Sequence, residues 1–175
     1  MTLQEEIHYR SQMLSGAVEK ILSSNDDSFE FYYDIICKLG IYDDGRLIYG
    51  DNNKYINPLS GLWQEPFQFA MLLSFLAKQN LTSYCEIGPF QYWSFALISA
   101  VLNKNNDLKS FAVDKMFPIT MYVHEIFKKY DMKYDFIIGT SENIKNNKYD
   151  LVFIDADHSY NGVKSDWENV GQFSK

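Results

Sequence analysis

The stretch Tyr84-Cys85-Glu86-Ile87-Gly88-Pro89-Phe90-Gln91-Tyr92-Trp93-Ser94 decides the fold, because a short apolar run meets a carboxylate and a glycine just before a helical pattern begins. Tyr84, Cys85 and Ile87 suit a buried strand, and Ser94, Ala96, Leu97, Ala100 and Val101 then recur at helical spacing. The reading is strand, turn, helix. In an open α/β sheet the carboxyl end of such a strand is where ligands bind, since helix-start amides there are free to meet polar or anionic groups. Gly88 lets a ligand approach the backbone closely.

Strands and helices alternate downstream. Ser110 to Asp114 reads as a second strand, and Pro118 opens a helix with Ile119, Val123, Ile126, Phe127 and Tyr130 inward. Tyr134 to Ile138 is a third strand, Asp150 to Asp155 a fourth, and a helix follows from about Asn161 to Val170. That alternation predicts βαβ units and a parallel sheet. Upstream, residues 2 to 24 and 28 to 39 are amphipathic helices, the second closed by Gly40, and they form an amino-terminal cap over residues 1 to 60. Tyr42 to Asn57 is a loop rich in Asp, Gly and Asn around Leu47-Ile48-Tyr49, with room for a hairpin. Pro66 starts a strongly apolar helix to Lys78 that leads into the first strand, and residues 61 to 175 form the core domain.

With 175 residues, 46% of them hydrophobic and 17% aromatic, the chain fits one globular domain. Its net charge of -7 argues against nucleic acid or an anionic membrane as partner. No secretory signal and no membrane-length apolar run is evident, so a cytoplasmic location is expected. Cys37 and Cys85 read as two buried thiols without chemistry.

Three strands end in a carboxylate, Glu86, Asp114 and Asp155, which puts all three on one rim of the sheet. Acceptors there suit ribose hydroxyls or an ammonium group.

Four segments together resemble class I S-adenosylmethionine-dependent methyltransferases. They are Glu86-Ile87-Gly88, the acid Asp114, Gly139-Thr140-Ser141-Glu142 and, above all, Ile154-Asp155-Ala156-Asp157-His158-Ser159-Tyr160. The similarity runs from about Gly61 to Val170 and is strongest to the branch that includes many O-methyltransferases of small molecules and sugars. It implies a Rossmann-like sheet with S-adenosylmethionine as cofactor and a small-molecule acceptor. Glu86 and Gly88 would shape the methionine side, Ser94 would also belong to the cofactor site, Asp114 would hold the ribose, and Ser141 and Glu142 would lie by the adenine. Asp155 would face the methionine amino group or a metal, though no residue is assigned as a metal ligand. His158, with Asp157 beside it, would be the general base; its other reading is a helix-start residue that only hydrogen-bonds the loop. Trp63 and Gln64 resemble the segment that closes over the cofactor.

The sequence departs from the family in two places. Phe90 and Tyr92 stand where later glycines are expected, and Tyr92 is expected to narrow the cofactor pocket. The family sheet has seven strands and the sequence supplies four, so a sheet truncated after the fourth strand is expected. The apolar fourth strand would then be covered by a second copy, making a homodimer. Two other readings stand beside the methyltransferase. One is a catalytically inactive binding or assembly module, favoured by Phe90, Tyr92 and the missing strands. The other is a nicotinamide-dependent oxidoreductase, disfavoured because no Gly-x-Gly-x-x-Gly follows the first strand.

Overall fold

The computed structural model describes residues 3–39, 42–43, 46–47, 62–104, 107–115 and 122–171. Two helices lead, α1 Leu3–Ser23 and α2 Phe29–Leu39, followed by the antiparallel pair β1 Tyr42–Asp43 and β2 Arg46–Leu47. Then come α3 Pro66–Leu76, β3 Ser83–Ile87, α4 Trp93–Asn103, β4 Lys109–Asp114, α5 Tyr122–Lys129 and β5 Lys133–Ile138. A 3-10 turn at Ser141–Ile144, β6 Leu151–Ile154 and α6 Tyr160–Asn169 complete the order. The α/β reading holds.

The main sheet is parallel throughout, in the order β5-β4-β3-β6, and this arrangement is Rossmann-like. Register aligns Ile87 of β3 with Val113 of β4 on one side and Ile154 of β6 on the other, so the strands finish level. The chain leaves β3 towards β4 and β5, then crosses back to place β6 on the other side of β3. That reversal opens a crevice above the carboxyl ends, as doubly wound sheets do.

Side chains alternate across the sheet. Tyr84, Ala112, Leu151 and Phe153 look into the larger core with α1 to α5, whereas Cys85, Ile87, Val113, Val152 and Ile154 pack in a smaller cluster with Val170. The larger core is filled by aromatic rings: Phe95 stacks on Phe127 at 5.3 Å, and Tyr92 meets Phe136 edge-on at 5.1 Å. Tyr92 is 2% exposed, belongs to this core and is not part of the lining of the cavity described below. The expectation fails because Tyr92 takes φ +63° at the start of α4, a left-handed conformation that turns its ring inward.

One acid ties several parts of the cap to the core. Asp27, between α1 and α2, pairs with Lys104 at the end of α4 and accepts the Tyr32 hydroxyl at 2.7 Å; its carbonyl accepts Ser74 Oγ at 2.8 Å. Ser28 caps α2 by accepting the Phe31 amide at 3.2 Å.

Other expectations shift in detail. Cys37 is half-buried, since it sits at the edge of the α2 face that holds Ile36 and Leu39. The hairpin pairs Tyr42–Asp43 with Arg46–Leu47, earlier than Leu47-Ile48-Tyr49 suggested; Ile48, Tyr49 and the Pro118 helix start lie outside the described residues. Leu151–Ile154 is half-buried throughout and, among the described residues, has β3 as its single strand neighbour. The cap helices pack chiefly on the helices of the core domain, α1 on α4 and α5 and α2 on α3. No helix among the described residues is long and apolar enough to cross a membrane.

Removing Asp27 leaves the Lys104 ammonium, 5% exposed, without its counter-charge. Asp27→Ala is expected to destabilise the fold by about 3 kcal/mol, read by urea unfolding followed through tyrosine and tryptophan fluorescence. A loss under about 1 kcal/mol would mean that the pair behaves as a surface salt bridge.

Candidate functional site

The crevice above β3, β4 and β6 is a cavity of about 780 Å³, within the range of small-molecule and cofactor sites. Its floor is the turn after β3. Gly88 has φ +78°, and a Cβ there would lie 2.4 Å from Ala156 Cα, so the turns after β3 and β6 touch backbone to backbone. No other residue fits that position.

Gly88, Ser94, Asp114, Ser141, Glu142, Asp155, Asp157 and His158 all line this one cavity. Glu86 does not. It is fully buried beneath the floor, because strand alternation aims it at the helical face with Tyr84. There its carboxyl group accepts Ser94 Oγ at 2.6 Å and the Tyr84 hydroxyl. Burial, with Asp155 nearby adding to it, pushes the Glu86 carboxyl up to about 8, and the same burial pushes the Tyr84 hydroxyl well above its ordinary value. Both groups are therefore largely neutral at pH 7. Ser94 reaches the cavity wall while its hydroxyl is committed to Glu86.

On the rim, Asp155 is held from two sides. Its Oδ2 accepts Gln64 Nε2 at 2.7 Å, and His158 Nε2 lies 3.2 Å from its Oδ1. The His158 side chain is 80% exposed, so its ring stands open at the mouth. Asp157 accepts the Ser159 amide at 2.9 Å, which holds its carboxyl below the usual range. Ser159 in turn accepts the Gly162 amide at 3.1 Å and caps α6. A Cβ at Gly162 would press on the Asp157 side chain at 2.5 Å, so glycine there makes room for the turn that carries His158.

Opposite, Ser141 is 2% exposed, and its hydroxyl accepts Asn169 Nδ2 at 2.9 Å, whereas Glu142 is exposed. Trp63 and Phe90 meet edge-on at 5.6 Å at the mouth. Phe90, where the resemblance expects glycine, therefore builds a wall with Trp63.

Sequence reasoning missed Lys115, Gln91 and Ser165, which also line the cavity. Lys115 had a signal, as the residue next to the strand-end acid. The bond joining Gln64 to Asp155 had none, since it spans 91 positions.

Comparison with known proteins supplies no relative: no family model matches the chain, and no curated protein matches it either.

The Glu86 carboxyl sets a pH dependence with a definite sign. Its folded value of about 8 lies above the ordinary 4.5, so the folded chain keeps a proton that the unfolded chain has released. The stability it contributes is full below about 4.5 and is lost as pH rises through about 8. Glu86→Gln has no such proton to lose. The stability of the parent relative to Glu86→Gln is expected to fall as pH rises across this window, by at most about 1.4 kcal/mol per pH unit, in urea melts at several pH values. A difference that stays level would show that Glu86 is ionised in the fold.

Proposed function

We propose that this chain is an S-adenosylmethionine-dependent methyltransferase acting on a hydroxyl of a small molecule or sugar. One observation carries the reading: Asp114 and Asp155, at the ends of the two strands flanking β3, face one cavity at the reversal of strand order.

The donor set fits the cofactor. Asp114 offers a carboxylate to vicinal hydroxyls, while Asp155 and Gln64 offer an acceptor and an amide to an amino-acid end. The turn Thr140-Ser141-Glu142 borders the far side, where a base would lie. Phe90 and Trp63 pack edge-on against each other in the cavity wall. Bound here, the cofactor's sulfonium supplies the methyl group.

His158 would take the acceptor's proton. With Nε2 donating to Asp155, Nδ1 would be left as the base, and Asp155 would orient the ring. Asp157, bound to the Ser159 amide, sets the turn from which His158 projects. Most of the acceleration would come from holding the acceptor oxygen in line with the methyl group. Of the residues that favour a non-catalytic module, Phe90 lines the cavity and Tyr92 is buried in the core, outside the cavity lining.

Calorimetry with S-adenosylmethionine, S-adenosylhomocysteine and a nicotinamide dinucleotide tests the class. The first two are expected to bind, and Asp114→Ala to weaken them by about 1 to 3 kcal/mol. His158→Ala should leave that affinity within about twofold while lowering methyl transfer about 10²- to 10⁴-fold. Unchanged affinity in Asp114→Ala, or binding of the nicotinamide alone, would refute the proposal.

A further inference from the structure

The buried flank of α6 carries a carboxylate that no partner answers. Asp166 lines the cavity and is 8% exposed, yet among the described residues its side chain has no hydrogen-bond or salt-bridge partner. Buried polar groups are nearly always bonded, and an unpaired buried carboxylate is costly. Three other acids of the cavity are provided for: Asp155 is held by Gln64 and His158, Asp157 accepts the Ser159 amide, and Glu142 is open to solvent. Gly162, one turn before Asp166 on the same flank, lines the cavity too, so that flank is turned inward.

A donor stands across from it. Ser141, in the 3-10 turn after β5, lines the same cavity and is 2% exposed. Its oxygen accepts Asn169 Nδ2 at 2.9 Å, which leaves its O–H to donate, and among the described residues no acceptor takes that proton. Asn169 follows Asp166 by three residues and is buried on the same flank. The Asn146 amide donates to Asn169 O at 3.1 Å, a second tie between α6 and the segment after β5. Asp166 and Ser141 therefore border one corner of the cavity, an acceptor on one wall and a donor on the other.

We propose that this corner reads the amino edge of the cofactor's adenine: the Asp166 carboxylate accepts from the 6-amino group, and the Ser141 hydroxyl donates to a ring nitrogen beside it. This assignment rests on the methyltransferase reading and adds to it the residue that selects the base. An ammonium group offers donors only and would face the Ser141 proton, while a phosphate or carboxylate would be repelled by Asp166. An amino group beside a ring nitrogen presents a donor next to an acceptor, and 6-aminopurine has that edge. Hypoxanthine carries an oxygen in place of the amino group and sets an acceptor against the carboxylate, so the corner rejects it. Asp166 stands six residues, about 9 Å, along α6 from Tyr160, whereas His158 precedes the helix, so the base and the transferred methyl group lie at different ends of the cavity.

Calorimetry of the full chain with S-adenosylhomocysteine and with its deaminated counterpart, S-inosylhomocysteine, is the test. The parent is expected to prefer the adenine compound at least about tenfold. Asp166→Asn keeps the shape of the side chain and can turn either its oxygen or its nitrogen to the base, so the preference should shrink to within about threefold of none. Asp166→Ala should weaken the adenine compound by about tenfold while the inosine compound binds as before or more tightly, with unchanged near-ultraviolet circular dichroism. A parent that binds both compounds equally overturns the assignment and leaves the methyltransferase reading standing, and so do Asp166→Asn and Asp166→Ala proteins that keep the parent's preference. A parent that binds neither compound overturns both.

Discussion

The rim of the sheet depends on there being no side chain at Gly88. The turn after β3 lies so close to the turn after β6 that an added Cβ would fall 2.4 Å from Ala156 Cα and 2.8 Å from the Asp155 carbonyl. With that contact made, the backbone ladders end at one height. Gly88 donates to Val113 O at 2.8 Å, Asp155 to Ile87 O at 2.9 Å and Gly139 to Asp114 O at 2.8 Å. Level ladders deliver Asp114 and Asp155 to the same cavity. A side chain at Gly88 would push the β6 turn outward and carry Asp155, Asp157 and His158 with it.

The three strand-end acids show how two residues of register along one face separate chemistries. Asp114 is the last residue of β4 and Asp155 follows the last residue of β6, so both look over the edge into the cavity. Glu86 lies level with Ala112 and Phe153, two positions before Asp114 and Asp155 on the same face, so it sits beneath the rim within the helical core. An isolated carboxylate there would be costly, and the chain answers with two hydroxyl partners, Tyr84 and Ser94, and with a retained proton. A neutral Glu86 also spares the rim a further negative charge behind Asp155. The buried acid thus serves the site by joining β3 to α4 beneath its floor.

Much of this was legible in the sequence because the signals are local. Short apolar runs ending in an acid, such as Leu151 to Asp155, mark strands that enter a parallel sheet, and alternation with helices fixes the class. The cavity residues were legible for the same reason, since each lies within a few positions of a strand end. What was not legible depends on dihedral angles and on contacts across the chain. Tyr92 was placed in the pocket by its spacing from Gly88, but a left-handed φ reverses its direction. Nothing near Glu86 in sequence says that both Tyr84 and Ser94 will bind it, because the second bond exists only once α4 folds back over β3. Gln64 and Asp155 meet only after the whole sheet has formed.

The helix α6 joins the two halves of the functional picture physically. One flank borders the cavity through Gly162, Ser165 and Asp166 and is tied by Asn169 to Ser141; the other carries Tyr160, Val163 and Trp167 outward. Its amino terminus is set by the Asp157 and Ser159 turn that also projects His158. A short helix with only Asp166 and Asn169 buried among its own residues has little apolar packing to hold its orientation. Its position is fixed instead by polar contacts at its two ends and by Val170 in the smaller core just beyond. The geometry of His158 relative to Asp155 is therefore only as firm as the seating of α6. Tyr160, Val163 and Trp167 border no part of the cavity, so the seating of α6 rests on its buried flank alone.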